Sequence, residues 1–547
     1  MDTRATECER RDATENEIKT LPHVVDSVPF IVWVALVADA SERFTFYAVS
    51  APWQNYMQNG RDSIAVPGVL GLGQATATNI SNAFFFFSFL APLPFAVLSD
   101  AWLGRYKTLC ICYSLNLLGC IALIVTSLPV VTQDSIKIFG LALAMVLLGL
   151  GTGGVKATVS PFIGDQYATS VAQLVVTIKG DRVVADRTLT LQHIYNVFYW
   201  FTNIGSLSLI ASTYLEKHVG FWAAFLLPLC SIWVSIPLLL FWQRSYEVKL
   251  TPEGNVLPQA GKVLVYSARE RCQLDAAKPA FQAAKYGRTV PWDNLFISKI
   301  RRGLIACKVM ACFVPFYLCM NQIANNLISQ AGQMQLAGIP NDTIQALKPI
   351  ACVLLGPVIQ KLLYPGLQNR GVAFGPIARM AWLFVAMSSS MAFAAGLQKL
   401  IYTRGPCYEA PLACPDSDGG RIPNNISVWV QTPVYFLLAF AEILGFTTLS
   451  EYSYSKAPKD MRSLVQALRQ VTAGVGSALG MALSPVAVNP KVMYMYTGLA
   501  ATMVVTAPVF WSAFRNYDKI DDELNEIGLV HLDSREEMEE TTANTSA

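Results

Sequence analysis

Twelve apolar runs divide the chain, near residues 28–50, 76–99, 107–128, 136–161, 192–214, 220–243, 304–332, 345–366, 375–400, 428–452, 464–486 and 492–514. Crossing the hydrocarbon core of a bilayer takes about 20 predominantly apolar residues in a helix, and each run supplies that length. A polar stretch at 244–303 parts them six and six. The pattern predicts an all-α membrane protein with twelve transmembrane helices in two six-helix bundles. The predicted organisation is a tail at 1–27, a first bundle at 28–243, a linker at 244–303, a second bundle at 304–514 and an acidic tail at 515–547.

Charge then orients the spans. The linker carries many bases, from Arg244 and Lys249 to Arg301 and Arg302, which places it in the cytoplasm by the positive-inside rule. Counting spans puts Arg105/Lys107, Lys179/Arg182/Arg187, Arg370 and Lys456/Lys459/Arg462 on that same side, whereas 129–135 and 333–344 hold no Lys or Arg. Both termini are therefore expected in the cytoplasm. Residues 1–20 mix acids and bases without the apolar core of a signal peptide, so the first run is expected to stay as an anchor.

Composition narrows the function classes. Of 547 residues 53% are apolar and only 14% charged, against about 25% charged in soluble domains, which argues against a soluble enzyme. A net charge of +3 offers no field for holding nucleic acid, so none is expected as a partner. Most of the 12 cysteines lie within apolar runs and act as small hydrophobes, and no metal-ligand spacing is present. Cys407 and Cys414 differ, because they share a loop rich in Pro and Gly and are bridgeable if that loop faces an oxidising side. The span count places it outside, together with a glycosylation sequon at Asn425-Ile426-Ser427.

A charge at mid-bilayer costs on the order of 3 kcal/mol, so each ionisable residue inside a span is a functional candidate. In the first run Asp39, Glu42, Arg43, Phe46 and Tyr47 fall on one helical stripe, where Asp39 and Arg43 pair at i, i+4 and leave Glu42 in excess. Lys156 in the fourth run needs a carboxylate, and Glu42 is the obvious supplier. Gly149, Gly151 and Gly154 match a nucleotide-binding pattern, but no strand precedes them, so Gly149 and Gly153 read instead as a close helix approach. Glu442 lies in mid-run with no base within a helical turn, either protonated and packed or awaiting a cationic ligand. Asn203 and Asn321 add neutral hydrogen-bonding groups for packing or for a ligand.

Three segments resemble signatures of the proton-dependent oligopeptide transporters, a branch of the major facilitator superfamily. They are Asp39-x-x-Glu42-Arg43-Phe44-x-Phe46-Tyr47, Gly151-Thr152-Gly153-Gly154-Val155-Lys156 running into Asp165-Gln166-Tyr167, and Phe198-Tyr199-x-x-x-Asn203-x-Gly205-Ser206. Asp100 to Lys107 resembles the superfamily's loop motif, with Asp100, Gly104 and Arg105 at its key positions, and the stretch from Asn321 to Met334 looks most like fungal members. The resemblance implies the major facilitator fold and a central site binding small peptides. It also implies Arg43 for the peptide carboxylate, Glu442 for its ammonium, and Tyr47, Lys156, Asn203 and Asn321 as further substrate contacts. Asp39, Glu42 and Lys156 would form the proton-linked network, the proton being the coupling ion and no cofactor being needed. The chain departs from the pattern at Asp39 in place of Glu, at Phe46 and Phe89 where hydroxyls are usual, at Asn321 in place of an acid, and at Lys348.

The leading expectation is a proton-coupled symporter of di- and tripeptides, working by alternating access as a monomer in the lipid bilayer of the plasma membrane. Alternatives are a specialised member carrying a peptide-derived metabolite or another small anion, and a non-transporting nutrient sensor. An enzyme is not expected, because His23, His193, His218 and His531 are scattered near ends.

Overall fold

The computed structural model describes residues 11–516 other than 64–65, 168–172, 177–181, 247–255, 271–272, 371–373, 419, 450–451 and 453–461. The acidic tail from residue 517 onward, Lys179, Lys249, Lys456 and Lys459 lie outside the described residues. All twelve apolar runs contain helix. The first bundle is built from Phe30–Ser50, Gln74–Leu90 continued by Pro92–Leu98, Arg105–Ser127, Asp134–Asp165, Arg187–Ser206 continued by Ser208–His218, and Phe221–Phe241. In the second bundle the seventh span comprises Asn294–Ala311, Val314–Met320 and Asn326–Gly332, and the eighth opens with Leu347–Val358. Pro376–Thr403, Thr432–Ala441, Arg462–Leu483 and Val492–Phe514 supply the ninth to the twelfth.

Eight of the described helices are long and apolar enough by themselves to cross a membrane. The first span falls short because it carries three charges, and the seventh because it is broken. Around Asn321–Ala324 its helix tightens, and the Asn325 side chain then accepts the Asn326 backbone N–H at 2.7 Å, restarting the helix. Amide side chains satisfy backbone groups that a bilayer would leave unpaired. Large apolar side chains such as Leu118, Phe139, Trp233, Phe241, Leu362, Trp382 and Val505 face outward, which suits a surface bathed in lipid.

Within the first bundle the third and fourth spans pack side by side, as do the first and the sixth. The ninth span holds the tenth and the twelfth in the second. The bundles meet along the second and eleventh spans and along the fifth and eighth. Gly149 and Gly153 do face another helix closely. A Cβ on Gly153 would lie 2.5 Å from that of Ala91 in the second span, so only glycine fits there.

Polar elements differ from the sequence expectation in two places. The N-terminal segment is paired from residue 11 onward: Arg11–Asp12 and His23–Val24 flank the hairpin of Gln173–Val176 and Arg182–Ala185 in a four-stranded sheet. Short strands of this kind gain from neighbours that cap their edges, here a loop between two spans. The linker folds as well, into the helices Val256–Arg269 and Pro279–Tyr286, and the seventh span's helix starts at Asn294. Ala260, Val263, Ala277, Trp292, Ile297 and Ile300 form a separate small core, and the Trp292 indole donates to the Ala277 carbonyl at 2.9 Å. Abundant bases in this segment masked an amphipathic pattern that buries one face.

Candidate substrate and proton site

Helical periodicity sets the first charge cluster. Asp39, Glu42 and Arg43 fall within about one turn of a single helix, buried where it meets the rest of its bundle. Arg43 reaches Glu42 at 2.9 Å and Asp39 at 3.7 Å, so the guanidinium serves both acids and the nearer is Glu42 rather than Asp39. Asn116 in the third span donates to the other Glu42 oxygen at 3.2 Å. Tyr47, one further turn along, packs its ring edge-on against Phe46 with centroids 5.3 Å apart.

Lys156 takes a different partner from the one expected. Its ammonium sits over the rings of Phe46 and Phe89, 5.1 and 4.8 Å from their centroids, and no ion pair joins it to Glu42 among the described residues. Arg43 on the same helix as Glu42 claims that carboxylate first, and aromatic faces carry negative charge that a desolvated ammonium can use. Glu42, Arg43 and Arg469 of the eleventh span remain within its electrostatic reach. The two positions where family hydroxyls are missing thus form an aromatic bed for a cation.

Glu442 is the second surprise. It begins a widened π-type turn, Glu442–Phe446, an irregularity that often marks functional positions in helices. Its carboxylate is bonded to Lys348 of the eighth span at 2.6 Å, and both side chains are largely buried. The expectation of an acid without a cationic neighbour is corrected, because the partner comes from another span. Lys348 lies between Ala346 and Ile350, which pack with Ala51 and Leu209 of the first bundle, and its span also meets the fifth, which carries Tyr199.

Other candidates are placed less centrally. The Asn203 amide donates to the Tyr199 carbonyl in its own helix at 2.9 Å. Asn321 donates to Ser477 at 2.8 Å and so ties the seventh span to the eleventh. Arg105 pairs with Asp165 at the end of the fourth span and donates to the Pro161 carbonyl, and Gly104 adopts φ +77° to turn the chain between the second and third spans. The side chain of Asp100 lies outside the described residues. Cys407 and Cys414 are joined in a disulfide, and Asn425 lies exposed in the same loop region.

At the end bearing this disulfide, a seam of hydrogen bonds closes the bundles together. Asn55 and Asn341 bond reciprocally at 2.9 Å, Thr213 meets Thr343 at 2.6 Å, Ser329 donates to Gln58 at 2.5 Å, and Gln74 donates to Asn326 at 3.1 Å. Above the seam lies a cavity of about 210 Å³, roofed by Pro411, Leu412 and Ala413 of the disulfide loop. Glu216 and Asp342 are buried beside the seam and interact across it. Sequence reasoning passed over both because each adjoins a span end, where a charged residue is ordinary. Arg469 was equally passed over, although it lies well inside an apolar run, a signal of the same kind as Glu442.

Two bundles closed at one end around opposed charged side chains define a transporter of the major facilitator type. A sequence profile of the POT family matches residues 106–504. The chain is 38% identical to peptide transporter PTR_A of Candidozyma auris over 97% of its own length and 89% of the relative's. It is 37% identical to peptide transporter PTR2 of Saccharomyces cerevisiae, covering 94% and 83% respectively. A crystal structure of an auto-inhibited POT family peptide transporter superposes with a TM-score of 0.68 at 20% identity, covering 89% of this chain and 97% of that one. The chain belongs to the POT family of proton-dependent oligopeptide transporters.

Proposed function

We propose that this protein is a proton-coupled symporter of di- and tripeptides that works by rocking its two bundles about a central site. The observation that carries the reading is one buried charged cluster in each bundle, Arg43 with Glu42 at 2.9 Å in the first and Lys348 with Glu442 at 2.6 Å in the second. A short peptide is a dipole with separated charged ends, and fixed charges on opposite bundles suit such a ligand. Arg43 and Lys156 supply the pole for the carboxylate; Glu442 with Lys348 forms the other pole, and Tyr47 is a further contact for the substrate. Asn321 acts by tying the seventh span to the eleventh, and Asn203 bonds the Tyr199 carbonyl within the fifth.

Coupling follows from the Arg43 cluster. A proton arriving at Glu42 or Asp39 weakens the hold on the guanidinium and frees it for a substrate carboxylate. Binding of proton and peptide is then mutually favourable, as linkage requires. The positive-inside pattern supports cytoplasmic termini, and the disulfide supports an outer face at the seam, an arrangement that suits the plasma membrane. Asn425 is the glycosylation candidate on that face, and a site enclosed within one chain supports function as a monomer.

Proteoliposomes bearing an inwardly directed proton gradient should accumulate labelled dipeptide, and Glu442→Gln should lower that uptake at least about tenfold, the cost of one charged contact. Uptake that ignores the gradient would overturn the coupling.

A further inference from the structure

We propose that Lys348 makes the amino-end subsite selective for peptides carrying an acidic side chain on their first residue, an inference that rests on the peptide reading above. Glu442 is already bonded to Lys348 at 2.6 Å. The pair is largely buried, and its lysine lies on a helix start whose Ala346 and Ile350 pack with Ala51 and Leu209 of the first bundle. A peptide ammonium that approaches Glu442 must displace Lys348 or share the carboxylate with it. Displacement leaves an ammonium without its partner in a partly desolvated space, and sharing places two cations on one anion.

A substrate with a carboxylate close to its ammonium resolves the conflict. Its ammonium bonds Glu442 while its side-chain carboxylate takes Lys348, so the two fixed charges and the two ligand charges alternate. Specificity of this kind works as much by rejecting the zwitterion as by attracting the acid. The other charged groups of the site are Asp39, Glu42, Arg43 and Lys156, toward the carboxyl-end pole, and Arg469 of the eleventh span, within electrostatic reach of Lys156; all stay unchanged in the Lys348 variants. An acidic residue at the second position of a dipeptide would sit at that pole and gain nothing from Lys348.

The test is competition by Asp-Ala, Ala-Ala and Ala-Asp for a labelled dipeptide, using the full chain in proteoliposomes. Asp-Ala is expected to compete about tenfold better than either of the others, a margin of one good charged contact. Lys348→Arg should keep that advantage, and Lys348→Gln should remove it while improving Ala-Ala. The Lys348→Gln/Glu442→Gln double variant, which leaves no buried charge unpaired, should treat Asp-Ala and Ala-Ala alike. Equal competition by Asp-Ala and Ala-Ala in the unchanged protein, or an advantage that survives Lys348→Gln, would overturn the proposal. Failure of every dipeptide to compete or enter would instead sink the peptide reading on which it rests.

Discussion

Arg43 is held by two carboxylates of its own helix, so a ligand carboxylate competes with them for the guanidinium. Glu42→Gln removes the nearer competitor's charge permanently. Peptide exchange between the two sides should continue in this variant, whereas accumulation driven by a proton gradient should fall about tenfold or more, because only the more distant Asp39, at 3.7 Å, is left to pass a proton's arrival to the guanidinium. Counterflow and gradient-driven uptake measured on the same vesicles check the split. Glu442 was readable as a candidate because an acid stands out in an apolar run. Its pairing with Lys348 was not, since the two lie on different spans and nothing local in the chain tells which way a lysine near a span end will turn. The same limit hid the aromatic bed of Lys156, whose rings come from the first and second spans.

The fourth helix lies against the second at Gly153, where a larger residue has nowhere to go. Gly153→Val would press on Ala91 and on the Ser88 carbonyl, 3.0 Å from the position of a Cβ. Overpacking of this sort costs about 1–3 kcal/mol, and a lower melting temperature of the detergent-purified protein would register it. Close approach of helices was legible from the glycine spacing, but the identity of the partner helix was not. Breaks were harder still: the amides from Asn321 to Asn326 were visible as polar residues, but their use in ending and restarting a helix depends on backbone geometry. At the opposite end, both ring nitrogens of His23 face acceptors at 2.8 Å, the Ile18 carbonyl and the Asp186 carboxylate. Only a doubly protonated ring donates to both, and these bonds, the Ile18 carbonyl first, raise the pKa of His23 above its ordinary value. The tie is complete below about pH 6.5, the ordinary His value, and is lost as pH rises through the higher value of the folded protein. Hydrogen exchange at residues 23–24 and 182–186, corrected for intrinsic rates, should therefore quicken between pH 6 and pH 8.5, and His23→Gln should erase that difference.

Across the whole molecule, transport by rocking requires the seam at the disulfide end to part. A Thr213→Cys/Thr343→Cys pair replaces hydroxyls that lie 2.6 Å apart on the two bundles. Oxidation should cross-link the bundles and stop uptake, dithiothreitol should restore it, and neither single variant should respond. Two bundles of six were evident from the spacing of apolar runs, because the bilayer imposes one length on every span. How the bundles meet depends on rigid-body placement and became visible only with the seam. The folded linker carries a practical corollary. Its small core takes Ile297 and Ile300 from the start of the seventh span, and Arg301 reaches back to Asp275 at 2.9 Å, so most of the segment is a rigid attachment of the second half. The helices Val256–Arg269 and Pro279–Tyr286 thus belong with the second half. Anyone dividing the protein into two separately expressed pieces should keep those two helices with the second piece, since a cut near residue 290 would tear a packed unit in two.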